Sequence, residues 1–440
     1  MRRAYRTESF GIIYGPPHKK VHVLDRTSLP LLREASSSYD ELITAYKLDT
    51  LRVNRDRFAL NAPVIAFVEL TRACNLGCLH CYNHSGVPQK DELTATEIMA
   101  LLDELDRMGV FVVLFTGGEP LMRPECTDIL AHAATLSFNI GMITNGMLLS
   151  EPVIDTLPRS LVTGISIDGT THLGDIRPGA EYERLKAAFR YFVATRRSVS
   201  ALITLTKPGL EDLDELLGWL LANRIPPYMY YLYPLGRAAG NPQLLPGDED
   251  MYRAVQMGMQ AEVGHSMILP YLSDIAATAS SIDNYWDLVY RLEEGLRCCK
   301  GGRSITYITA DGTVYPCSNC ASQTMFAAGS IRAGGFERLW RESFAAIRSV
   351  TWDQFAGCAD CQLSRFSAVC QYRCPPLAMA LKSKPFACGA PDFVQKIMYY
   401  DRLIDAYCEE HHVSLQDLLR EMLRNPERNA VRATLDRVHS

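Results

Sequence analysis

At 440 residues the chain is long enough for two or three domains around a sizeable core. Its net charge of −5 gives no global basic field, so nucleic acid is not expected as a partner. Its longest apolar runs, such as residues 110–115, are far too short to span a bilayer, so no membrane association is expected.

The N-terminus, MRRAYRTESFG, carries positive charge without an apolar h-region, so no signal peptide and a cytoplasmic location are expected. In such a chain, 14 cysteines point to metal rather than to disulfides. Residues 1–60 read as a small front α+β module: strands at 10–14 and 21–24 around a turn, then helices at 29–34 and 39–47. Residues 61–265 alternate strands and helices. Strand-like runs lie at 64–70, 110–115, 139–143, 162–167, 201–205 and 228–233, with helical patterns at 95–107, 124–134, 182–195 and 212–223 between them. That alternation implies a parallel sheet whose strand C-termini converge on one face. Residues 290–392 are loop-rich and crowded with cysteine, and need metal to fold. One hairpin stands out there, at 305–315, turning at Asp311-Gly312. Residues 393–440 read as an amphipathic C-terminal helical cover.

The chemistry concentrates in residues 68–86, VELTRACNLGCLHCYNHSG. Cys74, Cys78 and Cys81 form C-x3-C-x2-C on a loop leaving the C-terminal end of the strand-like run at 64–70. Three thiolates on one short loop can hold three irons of a cubane cluster and leave the fourth open to a small chelating molecule. On spacing alone a zinc site stays open, with His80 or His84 as fourth ligand.

Three further strand ends decide between these. They are Gly117-Gly118-Glu119-Pro120, Thr144-Asn145-Gly146 and Ser166-Ile167-Asp168-Gly169. The ordered set resembles the radical S-adenosylmethionine (SAM) superfamily, whose fold is a partial (β/α)6 barrel. The resemblance implies that Cys74, Cys78 and Cys81 carry a [4Fe–4S] cluster whose unique iron binds SAM. It also implies that His80 touches the adenine, that Gly117, Gly118 and Glu119 bind the methionine amino group, and that Thr144, Asn145, Ser166 and Asp168 line the ribose and carboxylate region. Arg177, in Gly174-Asp-Ile-Arg-Pro-Gly179, suits the SAM carboxylate.

The cysteine-rich segment resembles the SPASM extension of that superfamily. Gly312-x4-Cys317, Cys358-x2-Cys361, Cys370-x3-Cys374 and Cys388 follow its pattern, with eight residues between Cys361 and Cys370 where five is usual. The resemblance implies two auxiliary [4Fe–4S] clusters. One takes Cys298 or Cys299 with Cys317 and Cys374, and Cys320 as a fourth candidate. The other takes Cys358, Cys361, Cys370 and Cys388. Gly236-Arg237-Ala238 matches a segment common in SPASM proteins.

The resemblance implies an enzyme fed by a one-electron donor such as flavodoxin or ferredoxin. It reductively cleaves SAM to a 5′-deoxyadenosyl radical, which takes a hydrogen atom from a ribosomally made precursor peptide and leaves a crosslink or other oxidative change. The front module resembles a truncated peptide-recognition domain, which would bind a leader by strand addition; a packing extension of the barrel is the other reading. The alternative substrate is a small cofactor precursor or a haem side chain. Sulfatase maturation is disfavoured, since Ser318 stands where those enzymes carry Asp. A non-enzymatic electron carrier would not need the three strand-end motifs.

Overall fold

The structure is a computed structural model. It describes residues 62–250 and 301–349, apart from positions 64, 111, 248, 249, 304 and 322, with the strand backbones between residues 3 and 60 and residues 375, 379 and 412. The expected helices at 29–34 and 39–47 lie outside the described residues, as does the C-terminal cover apart from His412.

At the front, Arg3–Arg6 (β1), Gly11–Gly15 (β2), Lys20–Leu24 (β3), Asp49–Asn54 (β4) and Ala59–Leu60 (β5) form a sheet in the order β3-β2-β1-β4-β5. The β2–β3 hairpin runs in register from Gly11 opposite Leu24 to Gly15 opposite Lys20, closing over the turn the sequence predicts. Strands β1, β4 and β5 are additions to that expectation. RAYR and DTLRVN mix charged and apolar residues too briefly for a clear period of two.

The larger sheet begins with Ile65–Glu69 (β6), Val112–Thr116 (β7), Asn139–Thr144 (β8), Val162–Ser166 (β9), Val199–Leu205 (β10) and Pro227–Tyr231 (β11), paired in parallel in that order. The helices between them are Ala95–Met108 (α1), Cys126–Ala134 (α2), Glu151–Thr156 (α3), Leu173–Ile176 (α4), Tyr182–Ala194 (α5) and Leu213–Ala222 (α6). Each connection returns the chain to start the next strand at the same end, so β6 to β9 all finish at one edge. The expected hairpin is Ile305–Ile308 (β12) with Thr313–Tyr315 (β13), followed by Gly329–Ser330 (β14), Phe336–Glu342 (α7) and Ala345–Arg348 (α8). Strand β12 pairs parallel with β6, Ile305 opposite Ile65 through Ile308 opposite Val68. The six-stranded unit, the hairpin and β14, which pairs with β13, are therefore one nine-stranded sheet.

Helix α1 shows how the layers attach. Ile98, Leu101, Leu102 and Leu105 repeat at helical spacing and are buried, each worth about 2 kcal/mol. Its start is a capping box: Glu97 N–H donates to Thr94 Oγ1 at 3.2 Å and Thr94 N–H to Glu97 Oε2 at 2.8 Å. The same carboxylate receives Arg332 Nε at 2.6 Å and Nη2 at 2.9 Å, tying α1 to the segment after β14. Arg332 first, then the Thr94 backbone, holds the Glu97 carboxyl down at about 2. Its contribution is therefore complete above the ordinary carboxylate range and is lost as pH falls through about 2. The pair is solvent-screened and glutamine keeps an acceptor for the Thr94 N–H, so E97Q should lower stability only slightly, through the weakened pairing with Arg332. Urea unfolding at pH 7 checks the size, and the difference should close on acidification.

Candidate active site

Parallel register places Glu69 beside Thr116 and Thr144 beside Ile165, so the loops after β6, β7, β8 and β9 meet at one edge. The cysteine loop leaves β6 and is held at every turn by backbone bonds. Cys74 N–H donates to Gly86 O at 2.9 Å, Gly118 N–H to Thr71 O at 2.7 Å and Glu119 N–H to Ala73 O at 2.8 Å. Cys78 is buried; Cys74 and Cys81 are half-buried. A brace arrives from far along the chain: Arg237 donates through N to Cys81 O at 2.9 Å, through Nε to Cys78 O at 2.8 Å and through Nη1 to Ser85 O at 2.9 Å.

Two N–H donors face sulfur. Asn145 Nδ2 lies 3.7 Å from Cys74 Sγ, and Arg177 Nη1 lies 3.7 Å from Cys78 Sγ. Burial pushes both thiols up. Asp168 is fully buried behind Arg177: its Oδ2 meets Arg177 Nε and, at 3.1 Å, His80 Nε2, and its Oδ1 accepts from Thr204 N–H at 2.6 Å. His80 Nδ1 is buried without a hydrogen-bond partner among the described residues. Burial would raise the Asp168 carboxyl, but the charge of Arg177, followed by His80, outweighs it and holds the group well below the carboxylate range.

Glu119 is also fully buried. Its carboxylate accepts from Thr144 Oγ1 at 2.7 Å, Asn145 N at 2.7 Å and Leu121 N at 3.2 Å, and so ties the end of β7 to the end of β8. Burial lifts it to about 7 against those hydrogen bonds. Gly117 and Gly118 are half-buried on the same turn, and Ser166 is half-buried at the end of β9. Of the cysteines expected in auxiliary clusters, Cys317 and Cys320 are described, with their Sγ atoms 3.6 Å apart. Cys298, Cys299, Cys358, Cys361, Cys370, Cys374 and Cys388 lie outside the described residues.

Sequence reasoning missed Glu69. It closes β6 fully buried and accepts from Tyr307 Oη at 2.6 Å, Ala310 N at 3.0 Å and Asn83 Nδ2. One carboxylate thus joins the first strand, the cysteine loop and the β12–β13 hairpin. A signal was present: an acid inside the apolar run before the cysteines has to find donors. Substitution E69A leaves those buried donors short of an acceptor and should lower unfolding stability by about 3 kcal/mol, read as a fall in the denaturation midpoint of the apoprotein.

The donor set fits a thiolate-held cluster. N–H groups aimed at Cys74 and Cys78 sulfur stabilise thiolate ligands, and bound iron supplies the positive charge that buried thiols need to ionise. A cubane takes one thiolate per iron, which suits three cysteines carried on one short loop. The site thus defines an iron–sulfur enzyme built on a parallel βα sheet. Residues 68–220 match the radical SAM superfamily and residues 298–362 match an iron–sulfur cluster-binding domain, SPASM. The two matches identify a radical SAM domain and a SPASM domain within this chain, and SAM and [4Fe–4S] clusters are the cofactors those domains take. It is 27% identical over 314 residues to the mycofactocin maturase MftC of Mycobacterium tuberculosis, covering 69% of this chain and 76% of that one. It is 28% identical over 343 residues to the AdoMet-dependent heme synthase of Methanosarcina barkeri, covering 71% and 92%. In fold it is similar to Streptococcus suis SuiB, solved with S-adenosylmethionine, at 14% identity and a TM-score of 0.64 over 89% of this chain and 98% of that one. Among the described residues no helix is long and apolar enough to cross a membrane.

Proposed function

We propose that this enzyme is a peptide maturase, which removes a hydrogen atom from a ribosomally made precursor and leaves a crosslink or other oxidative modification. The observation that carries this reading is the front sheet, in which β3 stands at the end of the strand order. An end strand offers backbone donors and acceptors to an extended leader peptide. The likeness to the maturase MftC supports it, as does the fold shared with SuiB, a protein also solved bound to its precursor peptide SuiA.

In this reading Cys74, Cys78 and Cys81 hold the cluster through their thiolates, while Asn145 and Arg177 donate to two of the sulfurs. Asp168 fixes the Arg177 guanidinium, and His80 Nδ1, buried on the same loop, is placed to meet a polar atom of SAM. The turn at Gly117 and Gly118 offers backbone at the same edge. When bound, cluster and SAM supply the carbon radical that abstracts hydrogen; the chain orients the partners and keeps water out. Cys317, Cys320 and the SPASM cysteines beyond the described residues hold the auxiliary clusters, and a flavodoxin- or ferredoxin-type protein supplies the electron.

The test is anaerobic incubation of the reconstituted enzyme with SAM, dithionite and a precursor peptide encoded beside its gene. Deoxyadenosine and loss of two hydrogens from the peptide are the expected products. A second reading, a haem precursor or other small cofactor precursor as substrate, is favoured by the heme synthase likeness. Deoxyadenosine with an unchanged peptide, and a porphyrin product when an iron porphyrin is supplied, would replace the first reading by the second.

A further inference from the structure

A cavity of about 810 Å³ opens between the two cysteine loops. One wall is Tyr82, Asn83 and His84, directly after Cys81; the facing wall is Gln323, Thr324 and Met325, shortly after Cys320. The volume suits a small ligand or a few residues of extended chain, and not a folded domain. Arg72 and His84 bring its basic side chains, and no aspartate or glutamate is among the described residues that line it. Leu235, Met325 and Met379 add an apolar side, and methionine adapts its shape to what it covers.

Two observations make this a built site. His84 holds a left-handed backbone, φ 50°, a conformation that persists where the surroundings impose it and that clusters at ligand-facing loops. Arg72 is anchored by its Nη2 on Asn83 O and its N–H on Glu92 Oε1 at 2.8 Å. The buried carboxyl that feels Arg72 from inside is Glu69. Its oxygens are taken by Tyr307, Asn83 and Ala310 on the inner side, and Glu69 is not among the residues that line the cavity.

We propose that this cavity seats the reacting segment of the substrate and selects one that carries a carboxylate beside an apolar side chain. The proposal rests on the peptide reading above. Arg72 and His84 take the carboxylate, and Leu235, Met325 and Met379 take the apolar neighbour. An acidic side chain and a free C-terminus offer the same chemistry.

The test titrates the holoenzyme anaerobically with four probes by equilibrium dialysis. They are N-acetyl-leucyl-glutamate amide, its glutamine counterpart, and N-acetyl-leucyl-leucine as free acid and as amide. In at least one pair the acid should bind about tenfold more tightly than its neutral partner, and that pair identifies the source of the carboxylate. Substitution Q323E sets a carboxylate on the facing wall and should weaken that acid about tenfold while leaving the amides unchanged. Thr324→Asp repeats the test if Q323E does not fold. Equal binding of acid and amide in both pairs, binding by no probe, or equal weakening of acids and amides by the variant overturns the proposal. Peptide modification is measured on the same samples. An acid-selective cavity in an enzyme that leaves its peptide unchanged defeats the peptide reading and leaves the selectivity standing.

Discussion

Asp168→Asn lowers the unfolding stability of the apoprotein by about 3–5 kcal/mol and abolishes SAM-dependent deoxyadenosine formation. Asp168 is fully buried, and Arg177 and His80 are each 8% exposed, so neither side chain can turn to water for a substitute partner. Asparagine keeps an acceptor for Thr204 N–H but sets an amide, or a neutral oxygen, against the Arg177 guanidinium. An uncompensated buried charge is far worse than a missing pair, which is why the loss exceeds that of a surface ion pair. Arg177 also faces Cys78 Sγ, so the displacement reaches that sulfur. The pH dependence gives a second readout. The Asp168 carboxyl lies lower in the folded chain than in the unfolded one, so its contribution is complete above about pH 4 and falls away on acidification. That component should vanish from the variant's profile. An unchanged denaturation midpoint at pH 7 would show that the ion pair does not hold this edge together.

Gly118→Ala should be as damaging, by sterics instead of charge. A Cβ at Gly118 would fall on Ala73 O and lie 2.6 Å from Arg72 O. Both are backbone atoms of the cysteine loop, which has no rotamer with which to yield. Relief requires breaking the Gly118-to-Thr71 and Glu119-to-Ala73 bonds that seat the loop on β7. The expected cost is about 3 kcal/mol or more, with little iron retained after reconstitution and no deoxyadenosine. Gly236 meets the same loop from the other side, where a Cβ would fall on Tyr82 O and lie 2.5 Å from Cys81 O, at a φ of +58° that alanine resists. Gly218 is the control. It lies inside α6 with nothing within 4 Å of its Cβ, so Gly218→Ala should add about 0.5–1 kcal/mol and leave iron content unchanged.

Much of this site is legible in the sequence because its chemistry is local. The C-x3-C-x2-C spacing fixes three sulfurs on one loop whatever the rest of the chain does, and the alternating strands and helices put the GGEP, TNG and SIDG ends on the same edge. The cysteine pattern of residues 298–388 is equally local. What the tertiary structure decided is where side chains point and which distant segments close on the loop. The sequence marks Glu119 only as part of a strand-end motif, and the register of β7 against β8 turns its carboxylate inward onto Thr144 and Asn145. Arg237 and Tyr307 lie more than 150 and 220 residues from the backbone and side chains they hold, and no periodicity connects them to Cys78 or Tyr82. The joining of β12 to β6 follows from an unpaired strand edge and a buried Glu69 that needs donors. Edge pairing and burial are properties of the assembled sheet, so only the fold could settle them.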